Sequence, residues 1–105
     1  MRAGEFLFVT GQLPADPATG RLVEGGIAEQ TEQVMQNLRE ILEEAGSGLD
    51  RLVKTTVFLQ NFDDFAAMNE VYASHVGDSP PARSTVEVSK LPSGALVEIE
   101  AIALL

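Results

Sequence analysis

The spacing of apolar residues between Ile27 and Ala45 constrains the fold more than any other feature of this sequence. Apolar or marginally apolar side chains recur there at gaps of three and four, which places them in one stripe on an α-helix. These positions are Ile27, Thr31, Val34, Met35, Leu38, Ile41, Leu42 and Ala45. Gly46 follows where a left-handed C-terminal cap is expected. Such a helix must bury its stripe against a second layer.

Short segments rich in β-branched and aromatic residues supply candidates for that layer. Strands are predicted over Glu5–Thr10, Leu52–Leu59, Arg83–Val88 and Leu96–Leu104, and Leu22–Val23 adds a short one. The second of these has apolar residues pointing both ways, which predicts burial on much of both faces.

A second helix is predicted from the capping segment 61–64 to about His75. Its inner side carries the larger apolar residues, namely Phe65, Met68, Val71, Tyr72 and Val76. The element order is β-β-α-β-α-β-β. Because 105 residues with 45% hydrophobic content suffice for one core, residues 1–105 are predicted to form a single two-layer α+β domain, a mixed sheet with two helices on one face.

Composition excludes several classes of protein. Cysteine is absent, which rules out disulfides, a thiol nucleophile and Cys-based metal sites, and the acidic residues lack metal-ligand spacing. No apolar run approaches the roughly 18 to 20 residues that cross a bilayer. No secretory signal precedes the first strand. A cytoplasmic location is therefore expected.

The net charge of −9 at pH 7 narrows the partners further. Only seven Lys and Arg residues occur, and they are scattered along the chain. Phosphate backbones bind through clustered cations, so neither nucleic acid nor an anionic membrane is an expected partner. A small anionic molecule stays possible, since a single Arg in a pocket acts locally.

Two charged residues interrupt predicted strands. Arg83 follows Pro81 and offers a planar fork suited to a carboxylate. Glu98 lies among apolar neighbours, where a carboxylate is costly unless it is paired or used. Because the last two strands are joined by a short loop, we expect them to pair antiparallel and to bring these side chains together. A simple ion pair is the alternative to a catalytic role. His75 is expected to be a polar helix-end residue.

The same region carries a family resemblance. The segments 81–92 (PARSTVEVSKLP) and 97–103 (VEIEAIA) resemble the signature of the RidA family, also called the YjgF family. Upstream, residues 10–14 (TGQLP) resemble a second family segment, and residues 30–38, 53–59 and 64–72 extend the similarity over nearly the whole chain.

The resemblance implies a chorismate-mutase-like fold assembled as a homotrimer, with pockets between subunits. It implies hydrolysis of 2-imino and 2-enamino acids, such as 2-aminoacrylate, 2-iminopropanoate and 2-iminobutanoate, to 2-keto acids and ammonia, without metal or cofactor. By similarity, Arg83 grips the substrate carboxylate and Glu98 positions the attacking water. Thr10, Gly11 and Thr85 line the pocket, and Asn69 lies near it.

The sequence departs from the family pattern at three places. Family members usually carry an extra N-terminal segment with a pocket tyrosine, whereas here Met1 directly precedes the first long strand. Thr85 occupies a position that is often Cys, and the loop from Val76 to Pro81 is short. Two alternatives therefore stay open: a non-catalytic trimer that binds a small carboxylate, and an endoribonuclease or translation inhibitor, as described for some relatives.

Overall fold

The computed structural model describes all 105 residues and has two layers, a five-stranded sheet and two helices. The elements in chain order are β1 Arg2–Ala3, β2 Phe6–Gln12, α1 Ile27–Glu44, β3 Leu52–Leu59, α2 Phe65–Val76, β4 Ala82–Glu87 and β5 Val97–Leu104. This order and the two-layer α+β class confirm the prediction. The first short strand, however, is Arg2–Ala3. Leu22 forms only an isolated bridge to Ala15, so the predicted strand at Leu22–Val23 is wrong.

The strand order in the sheet is β1-β2-β5-β3-β4. β3 and β4 are parallel, and every other neighbouring pair is antiparallel. β5 therefore lies between β2 and β3, and the predicted pairing of the last two strands is wrong. The segment after β4 instead crosses the end of β3, where the Leu59 carbonyl accepts a hydrogen bond from the Val88 N–H. A short connection does not require adjacent strands when it passes over the end of a third.

Helix α1 forms where the apolar spacing predicts it. Val34, Met35 and Leu38 are fully buried, whereas Ile41 lies at the margin of the stripe and is 36% exposed. Gly46 has φ +85°, which confirms the left-handed residue expected beyond the helix end. At its other end, the Glu29 carboxylate accepts a hydrogen bond from the Gly26 N–H, which satisfies a backbone donor at the helix start.

Helix α2 packs beside α1 on the same face of the sheet. A short 3-10 turn over residues 62–64 leads into α2. Asn61 caps this turn, and its side chain accepts a hydrogen bond from the Asp63 N–H. Of the predicted inner residues, Met68, Tyr72 and Val76 are buried, while Phe65 and Val71 are half-buried. No helix of the chain has both the length and the apolar character needed to cross a bilayer.

The hydrophobic core lies between the helices and one face of the sheet. Strand residues on that face, such as Val57, Leu59, Val97 and Ile99, are completely buried. On the opposite face no helix covers the strands. We call that opposite side the open face. β3 is thus buried on one face only within a single chain, which corrects the prediction that both of its faces are buried.

Candidate active site

Arg83 lies in β4 on the helix-covered face, in a cleft of about 360 Å³ beneath α2. Its Nη1 donates a hydrogen bond of 2.6 Å to Oδ1 of Asn69. The guanidinium carbon is 4.8 Å from the ring centroid of Tyr72 and 5.4 Å from that of Phe65. The guanidinium donates no other hydrogen bond and forms no ion pair in the chain. We call Arg83, Asn69, Tyr72 and Phe65 the arginine cluster.

Helix periodicity brings three members of this cluster together. Phe65, Asn69 and Tyr72 are spaced by four and three residues on α2, so their side chains share one face of that helix. Asn69 is thus the polar position between two aromatic rings. Asn69 and Arg83 are neighbours, and Thr85 follows on the same face of β4, opposite Val57 of β3.

Tyr72 connects this cluster to the core. Its hydroxyl and that of Thr55 are 2.7 Å apart, and both residues are buried. Burial raises the pKa of Tyr72 above its usual range, while the Thr55 hydrogen bond and the positive charge of Arg83 act in the opposite direction. Tyr72 therefore remains a neutral phenol at physiological pH.

Glu98 lies in β5 on the open face, beside Gly11 of β2. A Cβ atom placed on Gly11 would come within 2.8 Å of the Glu98 carboxyl carbon and closer still to one of its oxygens. The backbone of Gly11 does not have positive φ. The absence of a side chain at Gly11 therefore permits the close approach of Glu98, and backbone conformation does not call for glycine here. The Glu98 carboxylate has no hydrogen-bond or ion-pair partner in the chain.

Thr10 lies next to Gly11, where β2 is irregular. The register with β5 shifts between Val9 and Gln12, which indicates a bulge. Thr10 lines a groove of about 710 Å³ on the open face together with Lys54, Thr56 and Glu100. We call Glu98, Gly11 and Thr10 the glutamate cluster.

The two clusters lie on opposite faces of the sheet. Arg83 is opposite Thr55 and Glu98 is opposite Phe58 in the strand register, and residues three apart on β3 point to opposite sides. β3 also separates the two strands. The predicted approach of Arg83 to Glu98 within one chain is therefore wrong, and so is the alternative of a strand-to-strand ion pair.

His75 links the two helices. Its Nε2 is 2.9 Å from Oε1 of Glu32 on α1, and its side chain is only 11% exposed. This hydrogen bond is the main reason that the pKa of Glu32 is lowered, with smaller contributions from Gln36 and Arg39. The single histidine is therefore engaged at the helix interface. No group of three or more His, Asp or Glu side chains is close enough to hold a metal ion.

The aromatic part of the arginine cluster is what the sequence prediction missed. Helical spacing of large apolar residues predicts only core packing for Phe65 and Tyr72, whereas their rings also contact the Arg83 guanidinium. Asn69, a polar residue in the middle of that apolar face, is the signal that could have separated this end of α2 from an ordinary core helix.

Comparison with known proteins agrees with the resemblance. The model of the family described as endoribonuclease L-PSP matches residues 1–105. A RutC family protein from Pyrococcus horikoshii is 55% identical over 103 residues, covering 98% of this chain and 82% of the relative. The rat 2-iminobutanoate/2-iminopropanoate deaminase is 45% identical over 97 residues, covering 92% and 71%.

The fold is similar to that of solved structures from the same family. The crystal structure of RidA from an Antarctic Psychrobacter bacterium superposes with a TM-score of 0.96 at 41% identity, covering 100% of this chain and 85% of the other. Sequence motifs, family model and fold agree over the full length described. The chain therefore belongs to the endoribonuclease L-PSP family, which is the RidA/YjgF family.

Proposed function

We propose that this protein hydrolyses 2-imino and 2-enamino acids to 2-keto acids and ammonia, in sites formed between copies of the chain. The observation that carries the proposal is the state of Arg83. Asn69 and two aromatic rings hold its guanidinium at a cleft, and its remaining N–H groups have no partner in the chain. A planar cation held in this way suits a carboxylate, which accepts two parallel hydrogen bonds from it.

Glu98 supplies the second requirement of the reaction. An enamino acid first becomes the imine as a proton moves from its nitrogen to the β-carbon. Water then adds to the electrophilic imine carbon and forms a C–O bond. Both protons of that water end on nitrogen, the C–N bond breaks, and ammonia leaves as the carbonyl forms. The enzyme must orient the substrate and place a water molecule whose proton is accepted. Glu98 has a carboxylate without a partner in the chain, next to Gly11. We assign Arg83 to the substrate carboxylate and Glu98 to the water.

A site that contains both residues needs more than one chain. Arg83 and Glu98 lie on opposite faces of one sheet, so a single copy cannot present them to one small substrate. The open face also exposes large apolar side chains, including Phe6, Phe8 and Val86, and a single sheet face of this kind favours association. We propose a homotrimer in which Thr10, Gly11 and Glu98 of one copy face Arg83, Asn69 and Thr85 of another.

Mixing two inactive variants tests this arrangement. Arg83→Ala and Glu98→Gln should each release little keto acid from freshly generated 2-iminobutanoate. When the two are unfolded, mixed in equal amounts and refolded together, about one site in four regains both residues by random pairing in a closed ring. Activity should return to roughly that fraction of wild type. If the mixture stays as inactive as its components while it oligomerises normally, the residues do not share a site between copies.

The oligomeric state has its own test. Sedimentation should give about three times the 11.2 kDa of one chain. Phe8→Glu places a charge on the open face and should dissociate the assembly. Ala67→Glu adds the same charge to the exposed side of α2 and should leave it intact. A wild-type monomer at micromolar concentration would contradict both the trimer and the shared site.

The two alternatives make different predictions. A non-catalytic carboxylate-binding trimer binds 2-oxobutanoate through Arg83 but does not accelerate imine hydrolysis. A ribonuclease binds and cleaves RNA, and loses cleavage in a His75→Ala variant. The net charge of −9 and the engagement of His75 with Glu32 argue against the second alternative. We expect only weak, salt-sensitive RNA binding.

A further inference from the structure

Tyr72 stands out because it contacts Arg83 without being exposed. It is 3% exposed, and its ring centroid lies 4.8 Å from the guanidinium carbon. A cation over an aromatic face is attracted by the ring, and the attraction is stronger where water is excluded. The Tyr72 ring thus forms a buried floor under the guanidinium, and Phe65 provides a second ring at 5.4 Å.

The Tyr72 ring is itself fixed from the sheet. Its hydroxyl is hydrogen-bonded to the Thr55 hydroxyl at 2.7 Å. Thr55 is the register partner of Arg83 in the parallel ladder between β3 and β4. The strand pair that carries Arg83 therefore also anchors the ring on which the guanidinium rests. Arg83, Thr55 and Tyr72 thus each contact the other two, through the strand pairing, the hydroxyl pair and the ring.

This set of contacts leaves the guanidinium few orientations. Nη1 is held by Asn69 at 2.6 Å, while a ring contact restricts the tilt of the guanidinium plane. The N–H groups that remain without a partner are those available to a ligand. Without a fixed plane, a long arginine side chain would lose rotamer freedom on binding, and the affinity for the ligand would fall accordingly.

We propose that Tyr72, anchored by Thr55, is a positioning residue that orients Arg83 for its carboxylate ligand. The proposal rests on the proposed function and names the residue that prepares its carboxylate site. Tyr72 lines the cleft, but only 3% of its surface is exposed, and in this scheme it acts through Arg83 rather than on the substrate. Tyr72 should therefore contribute equally to binding in the ground state and in the transition state. Loss of its ring should raise KM more than it lowers kcat.

The experiment compares Tyr72→Leu, Tyr72→Phe and Met68→Ala with wild type, by calorimetric titration with 2-oxobutanoate and by hydrolysis of 2-iminobutanoate. Tyr72→Leu removes the ring and should weaken keto-acid binding by about tenfold, the change expected when a largely desolvated cation–π contact is lost. KM should rise by a similar factor. Tyr72→Phe keeps the ring and should bind the keto acid with most of the wild-type affinity.

Met68→Ala is the matched control, since Met68 is a fully buried residue of the same helix that does not line the cleft. It should lower Tm at least as much as Tyr72→Leu and leave the affinity unchanged. If Met68→Ala weakens binding as much as Tyr72→Leu, the effect is general loss of packing and the proposal is wrong. If Tyr72→Leu does not fold, Thr55→Val replaces it and should weaken binding by a smaller factor. Unchanged affinity in Thr55→Val would then overturn the proposal.

A spectroscopic measurement separates this proposal from the proposed function. In wild type, the ring should shift the NMR signal of the Arg83 Nε–H away from that of a free arginine, and Tyr72→Leu should remove the shift. Wild-type protein that shows this shift but neither binds 2-oxobutanoate nor hydrolyses the imine would contradict the proposed function alone. Absence of the shift in wild type would overturn the role of Tyr72.

Discussion

Both faces of the sheet carry large apolar side chains, but these side chains have different fates in a single chain. On the helix-covered face, Val57, Leu59 and Ile99 are completely buried. On the open face, Phe6 is 39% exposed and Phe8 is 45% exposed. The amino acids are equally hydrophobic, and only the first set has a partner layer within the chain. Hydrophobic character along a strand therefore indicates that a face will be covered, but not by what.

The comparison also separates the two candidate catalytic residues. Arg83 is held on the helix-covered face by a cluster contributed by α2, whereas Glu98 lies on the open face with no partner in the chain. The first residue is preorganised within one copy, and the second is free to meet a group from another. Each face thus contributes a different half of the proposed site.

The largest expected effect is that of Glu98→Gln on the open face. Glutamine keeps the shape and hydrogen bonding of the side chain but cannot accept the proton of the attacking water. kcat for 2-iminobutanoate hydrolysis should fall by roughly 10²- to 10⁴-fold, while 2-oxobutanoate still binds. Arg83→Lys should instead weaken keto-acid binding, because lysine keeps the charge but lacks the planar fork of the guanidinium. A wild-type rate in Glu98→Gln would remove Glu98 from the mechanism.

A pair of truncations should distinguish burial within the chain from burial between copies. Leu38→Ala opens a cavity under the helix-covered face and should cost about 2–5 kcal/mol in the free energy of unfolding. The decrease in Tm should be the same at every protein concentration. Phe8→Ala should instead raise the concentration at which the oligomer dissociates, since in the proposed trimer its contacts lie between chains. If both variants behave alike in sedimentation across concentrations, the contrast between the faces is wrong.

Gly11→Ala tests the close packing beside Glu98. The added methyl group would displace the Glu98 carboxylate, a flexible side chain, without backbone strain. We expect kcat to fall by about 10- to 10²-fold from misplacement of the carboxylate, with little change in Tm. Gly48→Ala is the control, because a Cβ there would meet the Asp50 carboxylate at 2.7 Å, outside both clusters. Equal activity in the two variants would show that the position of Glu98 does not matter.

The smallest effect concerns the helix layer. The pKa of Glu32 is lowered from 4.5, chiefly by its hydrogen bond with His75. A carboxylate with a lowered folded-state pKa stabilises the fold above pH 4.5, and this stabilisation is lost as the pH falls through the lowered value. Glu32→Gln should therefore lower Tm slightly at pH 7. The free energy of unfolding should fall by less than about 1 kcal/mol, since Glu32 is partly exposed. The difference from wild type should shrink as the pH falls below 4.5, as followed by thermal melts. A difference that grows as the pH falls below 4.5 would contradict this assignment.

Local physical chemistry in the sequence determined the elements. The three- and four-residue spacing of Val34, Met35 and Leu38 requires a helix with one buried side, and β-branched residues over Leu52–Leu59 require a strand, because these preferences act between near neighbours. Gly46 beyond α1 and Asn61 before α2 were predictable for the same reason. The motif around Arg83 and Glu98 also identified the family and the two residues on which the proposed function depends.

The strand order and the arginine cluster were decided only by the tertiary structure. A short connection between β4 and β5 favours pairing when it is considered alone, yet β5 pairs with β2 and β3. With a ladder on each side, β5 satisfies more of its backbone N–H and C=O groups than it would as an edge strand paired only with β4. In this position Val97 and Ile99 are completely buried. The contacts of Arg83 with Tyr72 and of Glu98 with Gly11 likewise join residues distant in sequence. Pairing between distant segments depends on how all the strands share hydrogen bonds and burial, and no local pattern records that competition.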